Sequence, residues 1–481
     1  MPVLASLAMV ATAVTGVGGV AALVTMTTAA SQSVRPLPFA PSHVLSTTLS
    51  FPPSTDYCRQ NLNVSCYQPA QFQHAYDLNP LYNIGLTGKG STIVIVDAFG
   101  SPTIAADLQH FDQTFGLPDP PSFQVIQPAG AVPAYPADPF GPVDRSGWAA
   151  ETTLDVEWSH VMAPGANILL VETPESETAG VQGFPQIVQA ENYVINHNLG
   201  DVISQSFGAA EPTFPSKKSI LALRSAFGNA AQHQVTVLAA SGDQGASGDL
   251  PDLTCCYPAR VTSWPSSDPL VTSVGGTQLH LDANGNRLAP DNVWNDVLAV
   301  GQGASGGGRS MVFNRPAFQD PVSGVVGGSR GTPDVSLSAA IDGAVDFYYS
   351  FCDYGRAAAP GLAPPLCGPQ WHLVGGTSEA APLFAGIVAI ADQAAGHRLG
   401  WLNPALYSPA GQRLNGGLVD VTAGNNTYAF CSANCGKSSE IDSVVPGFHA
   451  GAGHDLASGL GTIDATRFVA ALVPVHQVAG H

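Results

Sequence analysis

The sequence predicts an α/β fold with a mostly parallel central sheet flanked by helices, and three observations carry that prediction. Continuous apolar runs, each of strand length, recur at residues 91–97, 168–171, 202–206 and 235–240. Runs without polar alternation belong to strands buried on both faces. Segments with helical apolar spacing, at 150–162 and 219–232, lie between them, which is the alternation of a βαβ sheet. Finally, the strands run into polar turns: Asp97, then Ser204-Gln205-Ser206-Phe207-Gly208, then Ser241-Gly242-Asp243-Gln244-Gly245. In open parallel sheets the chemistry gathers at these carboxyl ends.

Taken in order, residues 2–30 carry no charged side chain and lead into Thr-Thr-Ala-Ala-Ser at 27–31, a small-residue pattern that suits signal-peptide cleavage. The expectation is a secreted protein; the alternative is that the run is retained as a membrane anchor. Residues 31–69, rich in Ser, Pro and Thr without a sustained period, read as an N-terminal arm or linker. Residues 70–481 read as one domain, with no internal repeat and no clean boundary. Over its 481 residues the chain has 17 Lys and Arg against 36 Asp and Glu, a net charge of -19, which excludes nucleic acid as a natural partner. Only 11% of residues are charged, while Gly numbers 52 and Pro 39, the balance of a loop-rich globular protein. The eight cysteines all follow the apolar leader and favour an oxidising compartment. Cys58 with Cys66, Cys352 with Cys367, and Cys431 with Cys435 are close enough to close short loops, and Cys255 with Cys256 to form a vicinal bridge.

The candidate nucleophile lies in Gly375-Gly376-Thr377-Ser378-Glu379-Ala380-Ala381-Pro382. Two glycines and a threonine deliver Ser378 to the start of an apolar helix, whose free N–H groups favour negative charge on a bound carbonyl oxygen. A helix-capping turn has the same local pattern. No histidine stands in a motif that would present an imidazole to Ser378; His372, six residues earlier, is the nearest. Glu151 and Asp155 are four apart on a predicted helix. On a solvated face they would repel slightly; buried, they would share a proton and make a carboxylate base that works in acid. Asp243 follows a strand in a Ser-Gly-Asp turn. It either closes that turn or, protonated, donates to an oxyanion.

Taken together the chain resembles the sedolisin, or serine-carboxyl peptidase, family over roughly residues 69–471. The ordered motifs are Glu151-x-x-x-Asp155, Met162-Ala163-Pro164-Gly165-Ala166, Ser206-Phe207-Gly208, Ser241-Gly242-Asp243-x-Gly245-Ala246, Val274-Gly275-Gly276-Thr277, Gly306-Gly307-Gly308, Pro333-Asp334-Val335-Ser336 and Gly375-Gly376-Thr377-Ser378. The resemblance implies a subtilisin-like fold and an acid-acting peptidase on peptide or unfolded-protein substrates. In it Ser378 is the nucleophile, Glu151 the general base, Asp155 its orienting partner and Asp243 the oxyanion acid. It further implies substrate contacts at Ser206, Phe207, Gly208, Gly306 and Gly307. One calcium ion is implied, held by the Asp420 and Asp455 side chains and the carbonyls of Val421, Gly451 and Gly453. His454 stands where members of the family usually carry an aromatic residue. They also generally carry a long folded pro-domain, where this chain has the short arm before Pro69; the expectation is that it folds without one. Two rivals remain: a subtilisin-type serine peptidase using Asp97, and an inactive secreted binding protein that keeps the cleft and the calcium site.

Overall fold

Each apolar run forms a strand of one eight-stranded sheet. In chain order the strands are β1 (Thr92–Ala98), β2 (Phe123–Ile126), β3 (Asn167–Thr173), β4 (Val202–Gln205), β5 (Thr236–Ala240), β6 (Thr272–Gln278), β7 (Asn292–Val293) and β8 (Val335–Ser338). Their spatial order is β7-β6-β5-β4-β1-β3-β2, with β8 also paired to β6. Every pairing is parallel except β6 with β7. The computed structural model describes residues 43–133, 142–177, 182–250, 255–297, 303–351, 368–408, 416–430 and 441–473.

The continuous apolar character of β1 follows from its position between two cores. Ile93 and Ile95 join one hydrophobic cluster, Val94 and Val96 the other. The first cluster is completed by α2 (Pro142–Met162) and α6 (Thr377–Ala395), the second by α3 (Phe184–Asn196) and α5 (Ser225–Gln232), with α1 (Ile104–Phe115) packed beside α2. Helix α6 is apolar around its whole circumference because it runs through the molecule, with nearly every residue buried. It touches α2 at Gly386, where a Cβ would fall 2.5 Å from that of Met162.

Two expectations need correction. The helix expected over 219–232 is two helices, α4 (Lys217–Ala222) and α5, separated where Arg224 pairs with the buried carboxylate of Asp268 at 2.8 Å. The arm expected over 31–69 is part of the fold from residue 43 onward. Strand His43–Leu49 pairs antiparallel with Gln370–Gly375, which pairs with Ala344–Tyr349, which pairs with Cys66–Tyr67. These short pieces gain their order from partners about three hundred residues away, which no local period announces.

Cys58 and Cys66 are bonded to one another, as are Cys255 and Cys256. The pairs Cys352 with Cys367 and Cys431 with Cys435 lie outside the described residues, as does the segment 1–30. Among the described residues no helix is long and apolar enough to cross a membrane.

Candidate active site

Ser378 is the second residue of α6, reached from the end of strand Gln370–Gly375 through a turn that only glycine tolerates. Gly376 has φ 137°, and a Cβ on Gly375 would fall 2.6 Å from the Ala339 carbonyl oxygen. The turn therefore lies tight against the end of β8, and Ser378 is only 6% exposed at the mouth of the helix.

Glu151 and Asp155 project from α2 and are both fully buried, so they form no solvated acidic face. The packing of α2 on α6 brings their surface of the helix to the N-terminal end of α6, where Ser378 lies. Ser206, just beyond β4, marks the junction. Its hydroxyl oxygen lies 2.9 Å from Asp155 Oδ1 and 3.2 Å from the Ser378 carbonyl oxygen. One hydroxyl carries one proton, so both contacts are hydrogen bonds when Asp155 is protonated and donates to Ser206 while Ser206 donates to Ser378. The electrostatics agree: burial first, then the charges of Asp97 and Glu151, push the Asp155 carboxyl well above its ordinary value, against the opposing pull of Ser206.

Asp97 belongs to this cluster. Fully buried at the end of β1, it is pushed up by burial, then by Glu151, with Thr152 pulling down and Glu172 pushing up from β3. Asp97 and Glu172 are paired in register across the two strands. The acid at the end of the first apolar run was visible in the sequence; its neighbours were not.

Asp243 does not spend its side chain on its own turn. Oδ1 accepts from Thr377 N–H at 2.8 Å and from the Thr377 hydroxyl at 2.7 Å, and the Thr377 oxygen accepts from Gly242 N–H at 3.1 Å. The carboxyl group is thereby held against the residue that precedes Ser378.

The remaining candidates separate. Ser206 belongs to the cluster, but the Phe207 ring points into the core, with centroids 6.2 Å from Trp148 and 6.3 Å from Phe184. Gly208 packs under the Trp264 carbonyl at the start of a short antiparallel pairing. Gly306 and Gly307 are buried, and their missing side chains make room for other loops of this chain: a Cβ would overlap the Ser241 carbonyl at Gly306 and the Leu456 carbonyl at Gly307. His372 is buried in strand Gln370–Gly375 against Phe347 and Tyr349, and burial lowers its imidazole to about 4. Glu379, the next residue on α6, is fully buried, with its carboxyl raised by burial and eased by Ser338.

Asp420 and Asp455 are tied to a common turn. Gly453 N–H donates to Asp420 Oδ2 at 2.8 Å and Gly451 N–H to Asp455 Oδ2 at 3.0 Å. The Val421 carbonyl receives only a long contact, 3.4 Å, from the Ser458 hydroxyl. The carboxylates and the backbone carbonyls of Val421, Gly451 and Gly453 offer oxygen donors alone, the type of ligand that suits a hard cation such as calcium. Asp249, Cys255 and Cys256 also cluster, but both sulfurs are bonded to each other and offer no thiolate.

The pattern of the Subtilase family matches residues 145–409. The chain is 30% identical over 423 residues to kumamolisin from Bacillus sp. (strain MN-32), covering 86% of this chain and 65% of that protein. It is 29% identical over 414 residues to sedolisin from Pseudomonas sp. (strain 101), covering 84% of this chain and 61% of that protein. It thus spans less than two thirds of either relative. A solved structure of Pseudomonas sedolisin, described as a serine-carboxyl proteinase complexed with two molecules of pseudo-iodotyrostatin, superposes with a TM-score of 0.65 at 27% identity, covering 85% of this chain and 98% of that one.

Proposed function

Because the chain belongs to the subtilase family, in its sedolisin branch, we propose that it is a serine-carboxyl peptidase that hydrolyses peptide bonds through an acyl-enzyme on Ser378. The observation that carries this is the Ser206 hydroxyl standing between Asp155 and the backbone of Ser378. It ties a buried carboxyl cluster to a serine at a helix N-terminus.

In the proposed reaction Glu151 takes the Ser378 proton as the hydroxyl oxygen attacks the peptide carbonyl carbon. The carbonyl electron pair moves onto oxygen, which receives hydrogen bonds from Ser378 N–H and from protonated Asp243. Glu151 then returns the proton to the leaving amine, the C–N bond breaks, and water releases the acyl group by the same steps. Asp155, protonated and bonded to Ser206, stands beside Glu151 and lets the pair carry a single negative charge. Acid conditions suit this scheme, because Asp243 donates only while it holds its proton. The substrate is a peptide or unfolded protein lying along the backbone of residues 206–208 and beside the 306–307 loop. Residues 1–30 act as the secretion signal. Asp420, Asp455 and the carbonyls of Val421, Gly451 and Gly453 would hold one calcium ion, which would supply positive charge to offset the two carboxylates.

The test is labelling of the folded protein by a serine-directed acylating probe at acidic pH. Labelling of the wild type, its loss in Ser378→Ala and its strong slowing in Glu151→Gln are expected. A well-folded wild type that never labels would leave an inactive peptide-binding protein as the better account.

A further inference from the structure

Between the calcium turn and the oxyanion acid runs a short bridge of buried hydrogen bonds. Asp455 Oδ1 accepts from the N–H groups of Ala457 at 2.9 Å and Ser458 at 2.8 Å. A cation on Asp455 would compete with these groups for the same carboxylate oxygens, so its arrival or loss is felt first at residues 456–458. The Ala457 carbonyl there accepts from the Ser305 hydroxyl at 3.1 Å. Ser305 is fully buried, and its oxygen also accepts from Gly276 N–H of β6 at 2.9 Å. Its neighbours grip the oxyanion turn on both sides. Ala304 N–H donates to the Asp243 carbonyl at 2.8 Å and Gly306 N–H to the Gly242 carbonyl at 2.7 Å, while the Ser241 hydroxyl donates to the Gly306 carbonyl at 2.8 Å. The absence of room for a Cβ at Gly306 or Gly307 makes these contacts stiff.

We propose that Ser305 is a positioning residue for the reaction, coupling the calcium turn to the oxyanion acid Asp243 through residues 304–307. The coupling rests on the peptidase and calcium reading above and extends it: the ion acts on the oxyanion hole as well as on stability. Linkage makes the effect reciprocal. Anything that fills the oxyanion hole should tighten calcium binding by the same factor by which calcium favours the filled hole.

A peptidyl aldehyde supplies the filling ligand. Ser378 Oγ bonds to the aldehyde carbon, the hydroxyl proton passes to Glu151, and the carbonyl electron pair becomes the oxygen held by Asp243. Calcium is titrated calorimetrically into the metal-free full-length protein with and without the aldehyde. For the wild type the aldehyde should tighten calcium binding by about fivefold or more. For Ser305→Ala, calcium alone should bind within about threefold of wild type, but the aldehyde should change that affinity less than about twofold. Turnover should show the same split, with the calcium dependence of kcat largely lost and KM little changed. If Ser305→Ala does not fold, Ser305→Cys, a weaker donor on the same stem, should show intermediate coupling. Wild-type coupling that persists undiminished in the folded Ser305 variant, or a wild type that binds both ligands without coupling, overturns the inference alone. A wild type that binds no calcium, or no aldehyde, overturns the reading beneath it as well.

Discussion

The site depends on where protons sit among buried acids. Asp97 and Asp155 are fully buried and pushed towards their neutral forms by burial and by the charge of Glu151. Such a cluster carries one negative charge more readily than two, and in the proposed reaction that charge sits on Glu151, the base, while Asp155 keeps a proton. Replacing Glu151 by Gln should lower kcat by about two to four powers of ten, with KM nearly unchanged. Asp243→Ala should lower kcat by about two to three powers of ten at the acid optimum. Asp243→Asn should behave differently, because an amide can still accept from Thr377 through its oxygen and donate through its nitrogen at any pH. Its kcat/KM profile should lose the decline on the alkaline side that is expected of the wild type. A wild-type decline that survives unchanged in Asp243→Asn would remove Asp243 from the oxyanion role.

Secondary-structure elements set the distances these residues need. The helices α2 and α6 touch at Gly386, with no space for a side chain between Gly386 and Met162. Gly386→Val should therefore cost about 1–3 kcal/mol by overpacking, read as a lower midpoint in chemical denaturation. It should also lower kcat, because the helix that carries Glu151 and Asp155 moves relative to the one that carries Ser378. An unchanged midpoint would show that the helices can part without cost. The elements also show how far the sequence could be read. Strands β1, β3, β4 and β5 were legible because burial on both faces leaves an unbroken apolar run. The break between α4 and α5 was not, since helical spacing continues across it and the interruption comes from Asp268, forty-four residues away from Arg224. Strand His43–Leu49 was equally hidden, because its register is set by residues 371–375.

Over the whole molecule the buried acids make stability a function of pH. Burial pushes Asp112, Glu191 and Asp392 up to about 8 and Asp249 to about 7, and holds Glu157, Asp346 and Glu379 well above the carboxylate range. A carboxyl raised on folding keeps its proton in the native state while the unfolded chain has lost it. Its contribution is full below about pH 4 and is lost as pH rises through the folded value. His160, His372 and His454, all lowered to about 4 by burial, act in the opposite sense between about pH 4 and 6.5. The carboxyls outnumber them, so Tm should fall as pH rises from about 4.5 to 8, and Glu191→Gln should flatten part of that slope. Each retained proton is worth about 1.4 kcal/mol per pH unit. Scanning calorimetry across that range checks the sign, and a Tm that climbs towards pH 8 would contradict it.

By itself the sequence determined the strand and helix alternation, the acidic net charge and the candidates proposed here as nucleophile, base and oxyanion acid. Each of these is written locally, in a period, a composition or a short motif. It left open whether Glu151 and Asp155 face water or the core, whether Asp243 closes its own turn or reaches Thr377, and why Gly306 and Gly307 are glycines. Those questions concern distances between residues far apart in the chain. Only the packing of α2 on α6, and of the 304–307 loop between the Asp243 turn and the Asp455 turn, decided them, because burial and hydrogen-bond partners exist only once the sheet has brought its strand ends together.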